Sequence, residues 1–262
     1  MHHIFINENE IDLSNKKVTI KSESENYHHL IKSLRIKRNE YVLCSVVPFS
    51  SSFDYRAVVN DIKDDSITLV VEESVEGNEL PANIHLYQGI SKYDKLEFVI
   101  EKAVELGANT ITPISTEYCV AKIDDKKAEK KIDRFNKISK SAAEQSKRHI
   151  IPEIKEPIEF KKMILELSNK KGFNLLFYEN ALGITETKKI LSKIIESVRN
   201  GKDKNIDINV IIGPEGGFSE KEIEMAKNAN IDILSLGNRI LRTETAAITA
   251  LSILMYDLSA NI

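Results

Sequence analysis

Two short apolar runs, each closed by glycine, constrain this chain more than anything else in it. Val210–Ile212, entered through Ile206 and Ile208, is β-branched and unbroken, as expected of a strand buried on both faces. Gly213, Gly216 and Gly217 follow at once in Gly-Pro-Glu-Gly-Gly-Phe-Ser (213–219). They remove Cβ atoms where the backbone turns and a ligand can come close. Ser219, with Glu222 three residues on, has the form of a capping box and predicts a helix start. The second run, Ile231–Leu236, stops at Gly237. In an open α/β sheet ligands sit at such strand ends, although two ordinary βα turns would give the same composition.

The surrounding pattern agrees with a sheet of that kind. Ile84–Ile90, Thr110–Ile114 and Phe173–Tyr178 read as further buried strands. Helices are expected between them. One is capped by Ser91 with Asp94, carries the stripe Leu96, Val99, Ile100, Ala103 and Leu106, and ends at Gly107. Another runs over Asp124–Arg148, its interleaved acids and bases predicting a solvated, salt-bridged face. A third spans Thr185–Val198 with Thr185 as N-cap. The last, Thr243–Leu258, is apolar nearly all round and must be buried on nearly all sides. Strand–helix alternation of this length predicts a mostly parallel α/β sheet.

The first 75 or so residues follow another rule. Short runs at His3–Ile6, Lys17–Ile20, Tyr41–Val47, Phe53–Ile62 and Ser66–Glu73 are separated by turn residues, which predicts a small β-barrel. One helix, Asn26–Leu34, interrupts them and leads into Arg35, Lys37 and Arg38. That cluster suits either RNA phosphates or simply a helix C-terminus. Glu76–Asn83, with Gly77 and Pro81, reads as a linker. The expected domains are therefore 1–75, then the linker 76–83, then 84–262.

Composition removes several classes. With 262 residues, 42% hydrophobic and 29% charged, the chain is an ordinary globular one, and no apolar run nears the ~20 residues of a membrane span. The start lacks the plan of a signal peptide, and Cys44 and Cys119 form no CxxC, so a reducing cytoplasm and no metal are expected. A net charge of −3 confines any RNA contact to a local patch. The 213–219 loop is not GxxxxGK[ST], no GxGxxG follows the domain's first strand, and no GxSxG is present. Nucleotide hydrolysis, an ordinary dinucleotide fold and a hydrolase are thereby disfavoured.

Gly-Pro-Glu-Gly-Gly-Phe-Ser (213–219) followed by Leu-Gly-Asn-Arg-Ile-Leu-Arg-Thr-Glu-Thr-Ala (236–246) resembles the signature of the RsmE family. These are SPOUT-class methyltransferases acting on a uridine N3 of small-subunit ribosomal RNA. Tyr-His-His-Leu-Ile-Lys-Ser-Leu-Arg (27–35), Ser-Lys-Tyr-Asp-Lys-Leu-Glu (91–97), Glu-Lys-Ala-Val-Glu-Leu-Gly (101–107) and Ala-Ala-Glu-Gln-Ser-Lys-Arg (142–148) are similar to its other motifs, in order. Two positions depart: Asn39-Glu40 stands where the family usually has Gly-Asp, and Tyr118-Cys119 where an arginine is common.

The resemblance implies a PUA-like barrel, a catalytic domain with a C-terminal trefoil knot, a cytoplasmic homodimer, and S-adenosylmethionine as cofactor. It assigns cofactor binding to Tyr178, Glu179, Gly213, Gly217, Leu236, Gly237, Ile240 and Leu241. Arg35, Lys37, Arg38 and Arg148 would meet 16S ribosomal RNA, within the small subunit. Uridine N3 carries a proton at neutral pH. Arg242 suits stabilising the developing anion, and Glu215 or Glu244 suits accepting the proton. A related enzyme acting on transfer RNA, or an idle RNA-binding adaptor, would share much of this pattern.

Overall fold

The computed structural model describes residues 1–48, 53–120, 125–181, 183–200 and 206–259, with side chains left aside at 93 and 125–128. The chain divides into two units, Met1–Glu79 with Ala143–Ile150, and Leu80–Ala142 with Ile151–Ile262.

The first unit is a six-stranded mixed sheet. Its strands are β1 (His2–Asn7), β2 (Ile11–Asp12), β3 (Lys17–Lys21), β4 (Tyr41–Val47), β5 (Phe53–Ile62) and β6 (Ser66–Glu76), in the order β1-β4-β5-β6-β3-β2. β1 runs parallel to β4 and every other pairing is antiparallel. Ile4, Ile6, Val18, Ile20, Val42, Cys44, Ala57, Val59, Ile67 and Leu69 alternate inward to form the core. Burial pushes the Cys44 thiol up to about 12, so it is an inert apolar filler. The expected helix appears as a short α1 (Glu25–His28) continued by a π turn, His29–Ser33. Asn39, standing in place of the family's glycine, has φ 66°, a conformation asparagine tolerates well.

Ala143–Ile150, which the sequence leaves in the second domain, clusters with the first unit. Polar bonds explain why. Glu79 binds the Arg148 guanidinium and accepts from the backbone N–H groups of His149 and Ile150. His149 Nδ1 lies 2.7 Å from Asp54 Oδ1, Ser45 Oγ donates to that same oxygen, and His3 Nε2 lies 2.7 Å from Ser45 Oγ. All four residues of this string are buried. Arg148 is only 4% exposed. The expectation that it meets RNA is therefore corrected: its charge is matched inside the fold by Glu79.

The second unit is a parallel sheet flanked by helices. In chain order it contains β7 (Asn83–Gly89), α2 (Tyr93–Glu105), β8 (Ala108–Ser115), α3 (Asp125–Ser146, whose last four residues fall in the first unit), β9 (Glu153–Ile154) and β10 (Ile158–Glu159). Then come α4 (Phe160–Ser168), β11 (Phe173–Phe177), α5 (Ile184–Arg199), β12 (Asp207–Ile212), α6 (Glu220–Asn228), β13 (Asp232–Leu234) and α7 (Thr243–Ser259). The order is β10-β8-β7-β12-β11-β13, with β9 beside β8, and all these pairings are parallel. β12 is the strand expected from Val210–Ile212, and five of its six residues are buried. α2 and α5 pack with α7, while α4 packs with α6 over Phe218, Ile223 and Leu176.

Two local expectations change, and a third falls partly outside the described residues. Ser91 does not cap α2, whose N-cap is Lys92 without a side-chain bond. Thr185 lies inside α5, whose N-cap is Gly183. The long helix is described from Asp125, and Asp124 lies outside the described residues. The Ser219–Glu222 capping box forms in full, and Gly107 ends α2 at φ 92°. In α7, Leu251 and Leu254 are fully buried within the chain itself, so the apolar circumference is consumed largely by its own subunit.

Candidate functional site

The C-terminal ends of β11, β12 and β13 stand side by side, and the loops after them enclose one cleft. After β12, Pro214 to Gly217 forms a turn closed by Gly217 N–H on Pro214 O at 3.0 Å, with Gly217 at φ 70°. A Cβ on Gly217 would meet Glu179 Oε1 at 3.0 Å, so the β11 and β12 loops touch across this glycine. After β13, Gly237 adopts φ 111° and its N–H donates to Ser235 Oγ at 3.2 Å. Thr187 on α5 fixes that loop: its hydroxyl donates to Ser235 O at 2.9 Å and accepts from Ser235 N–H at 3.0 Å.

The cleft measures about 440 Å³, within the usual range of small-molecule sites. All eight residues expected at a cofactor line it: Tyr178, Glu179, Gly213, Gly217, Leu236, Gly237, Ile240 and Leu241. Arg242 and Glu215 line it too, Arg242 exposed at the rim. Glu244 is not a lining residue; it sits in the first turn of α7, 3.9 Å from Lys95 Nζ. Glu215 Oε1 accepts from Lys92 N–H at 3.4 Å and pairs with Lys95 Nζ at 3.2 Å. Its carboxylate thus serves the N-terminus of α2, which has no cap of its own. Burial alone would raise the Glu215 carboxyl, but hydrogen bonds from its own backbone N–H, from Lys95 and from Lys92 outweigh it and hold the group below its ordinary value.

Four contributors escape the sequence reading. Gly89 closes β7, and a Cβ there would lie 2.2 Å from Pro214 N. Gln88, fully buried, donates to Thr243 Oγ1 at 2.8 Å, and Thr243 in turn donates to Gly213 O at 2.5 Å. Lys95 lines the cleft from α2. A glycine ending a buried strand in Tyr-Gln-Gly-Ile-Ser (87–91) is the one signal that could have found them, since it marks close backbone approach.

In the first unit, Arg35, Lys37 and Arg38 are all exposed, with Arg38 paired to Asp61. Arg35 holds φ 50°, a left-handed strain that non-glycine residues avoid and that clusters at functional positions.

A parallel α/β domain whose three glycine-bearing loops close on one cleft defines a protein that binds a small organic ligand at its strand ends. Residues 78–255 match the RNA methyltransferase domain family. Ribosomal RNA small subunit methyltransferase E of Bacillus subtilis is 32% identical over 240 residues, 91% of this chain and 90% of that protein. Its counterpart in Buchnera aphidicola subsp. Schizaphis graminum is 36% identical over 91% of this chain and 92% of its own. The crystal structure of the Neisseria gonorrhoeae enzyme of that name, bound to S-adenosyl methionine, superimposes with TM-score 0.77 at 26% identity, covering 98% of this chain and 97% of that one. The chain belongs to the RNA methyltransferase family that contains ribosomal RNA small subunit methyltransferase E.

Proposed function

We propose that this protein methylates N3 of a uridine in 16S ribosomal RNA of the small subunit, with S-adenosylmethionine as donor. The observation that carries the reading is the single cleft built by the loops after β11, β12 and β13, which gathers every residue the family resemblance assigns to the cofactor. The cleft fits that group. Its floor is glycine backbone at Gly213, Gly217 and Gly237, where added Cβ atoms or their left-handed geometry would intrude. Leu236, Ile240 and Leu241 offer apolar surface to a ring, and Glu179 and Tyr178 offer polar groups beside it.

When bound, the donor supplies an activated methyl group on sulfur. The chain's own part is positioning and proton management. Arg242, exposed at the cleft rim, makes no ion pair among the described residues and can turn its guanidinium toward an anionic uracil ring. Of the two candidate bases, Glu215 is engaged at α2, and the hydrogen bonds it accepts there hold its carboxyl below the ordinary value. Glu244 keeps one buried oxygen, Oε2, without a hydrogen bond among the described residues. We therefore assign the proton to Glu244 and a bracing role to Glu215.

The wider organisation follows the same reading. The first unit, Met1–Glu79 with Ala143–Ile150, would serve as a PUA-like RNA-docking domain presenting Arg35, Lys37 and Arg38, and the second unit, Leu80–Ala142 with Ile151–Ile262, as the SPOUT domain. The family resemblance implies a trefoil knot, and the strand order, with β12 between β7 and β11 and β13 outside β11, is compatible with one. A homodimer is favoured by exposed apolar groups around α7, Ile240 at 85% and Tyr256 at 75%. The same reading places the protein in the cytoplasm with its substrate, and no described helix is long and apolar enough to cross a membrane.

Two variants probe separate parts. Gly217→Val sets a branched side chain against Glu179 at a left-handed position, so S-adenosylmethionine affinity should drop at least tenfold in a folded protein. Unchanged affinity by calorimetric titration would remove Gly217 from the cradle. Arg35→Ala combined with Arg38→Ala should weaken RNA binding and lower its logarithmic salt slope by about one unit for each phosphate no longer neutralised. Cofactor affinity should hold; an unchanged slope would move docking elsewhere. The function itself is tested by incubating the purified protein with labelled donor and 16S RNA, free or in small subunits, and with transfer RNA. The reading expects 3-methyluridine in the 16S samples, and label only in transfer RNA would overturn the substrate.

A further inference from the structure

Lys95 stands at a junction that none of the assignments above explains. It is a lysine on the first turn of α2, 36% exposed, and it lines the cleft. Its ammonium lies 3.2 Å from Glu215 Oε1 and 3.9 Å from Glu244 Oε2. The two carboxylates come from different elements, one from the glycine loop and one from α7. Only the first is within hydrogen-bonding range. Glu244 Oε2 is buried without a hydrogen bond among the described residues, as are Gln88 Oε1 and Ser91 Oγ, from the end of β7 and the segment just before α2. Three orphaned polar atoms thus belong to the segments that meet around Lys95, and buried polar atoms left unpaired are costly unless a ligand completes them. A lysine placed only to stabilise the fold would close on its partners. This one is tethered to Glu215 and stops short of Glu244, leaving a gap between a cationic donor and an unpaired acceptor.

We propose that Lys95 is a catalytic residue that contacts a carbonyl oxygen of the target pyrimidine and stabilises its deprotonated form. This rests on the uridine-N3 reading above. The step is balanced within groups already named. The N3–H proton passes through a bridging water to the Glu244 carboxylate, which lies behind the cleft lining, and the charge left on the ring is shared by N3 and its two flanking carbonyl oxygens. The Lys95 ammonium hydrogen-bonds one of those oxygens, lowering the cost of losing the proton. As the N3–methyl bond forms, the methyl–sulfur bond breaks and its electron pair stays on sulfur; the proton on Glu244 is then released to water. Glu215 is the tether that aims the ammonium. Its depressed carboxyl keeps a negative charge beside Lys95 through the working pH range. Preorganised cations at a site of developing negative charge are among the largest contributors to catalysis.

The test separates an electrostatic role from a structural one. Lys95→Met and Lys95→Arg would be assayed in single turnovers on 16S RNA transcribed with uridine or with 5-fluorouridine, whose electron-withdrawing fluorine makes N3 more acidic. With uridine, Lys95→Met should lose about a hundredfold in rate, and Lys95→Arg should recover much of that loss. With 5-fluorouridine the deficit should shrink to about tenfold or less, because an acidic N3 needs less help. Calorimetric affinity for S-adenosylmethionine should match the wild type in both variants. An equal deficit on both RNAs, or a deficit that tracks lost cofactor affinity, would overturn the proposal and make Lys95 structural. Absence of 3-methyluridine with the wild-type protein would instead defeat the underlying reading.

Discussion

Replacing Arg242 by alanine should slow methyl transfer by about 10²–10³-fold while leaving the affinity for S-adenosylmethionine within about twofold of the wild type. The asymmetry follows from where the residue sits. Arg242 lies on the cleft rim and is exposed, immediately before α7, so its side chain supports no packing whose loss would unfold the loop. Its backbone carbonyl accepts from Ala246 N–H at 2.8 Å, a bond alanine keeps. What disappears is a mobile cation beside a ring that must become anionic. Arg242→Lys should restore part of the rate, since charge returns without the planar fork. A single-turnover rate for Arg242→Ala within about threefold of the wild type would remove Arg242 from the chemistry.

Gly89→Ala should have the largest structural effect of any single methylene in the catalytic unit. The new Cβ would lie 2.2 Å from Pro214 N and 2.6 Å from Gly213 C, both backbone, so no side chain can swing away. Either β7 or the 213–217 loop must move. Overpacking of this kind typically costs about 1–3 kcal/mol, which for a chain of this size corresponds to a loss of roughly 2–4 °C in Tm per kcal/mol. The displaced loop also carries Gly213, whose carbonyl is held by Thr243, itself held by Gln88. Cofactor affinity should therefore fall more than tenfold even at temperatures where the variant stays folded. A Gly89→Ala protein with native Tm and native affinity would show that the close approach of β7 to the loop is dispensable.

Much of this arrangement is legible in the residues because the signals are local. β12 can be read from Ile206 to Ile212 since a doubly buried strand must be continuously apolar. The Ser219–Glu222 box can be read because both halves lie within one turn. Gly107 and Gly237 mark left-handed positions that other residues avoid. What stays hidden depends on pairings between distant segments. Arg148 reads as one more exposed cation in a basic helix end, yet Glu79, 69 residues away, takes it inside the fold. Ser91 reads as a cap because Asp94 follows at the right spacing. In fact the α2 terminus is served by Glu215 from the far end of the domain. Leu251 and Leu254 seem surplus to a single subunit, until α2, α5 and β12 are found packed around the same helix. Lys95 lies within the family-like 91–97 stretch, but nothing in that stretch marks it as a cleft residue, and Gln88 carries no pattern of its own; only the register that sets β7 beside β12 brings Gln88 to Thr243 and, through it, to Gly213.

The central claim is that the cleft at the ends of β11, β12 and β13 serves methylation of a uridine at N3 in small-subunit ribosomal RNA. Mass spectrometry of 16S ribosomal RNA and transfer RNA, from cells with and without this gene, tests it most directly. The account predicts 3-methyluridine at one position of 16S RNA that vanishes with the gene and returns with the wild-type protein but not with Arg242→Ala. Unchanged 3-methyluridine in 16S RNA, or a loss confined to transfer RNA, would contradict it.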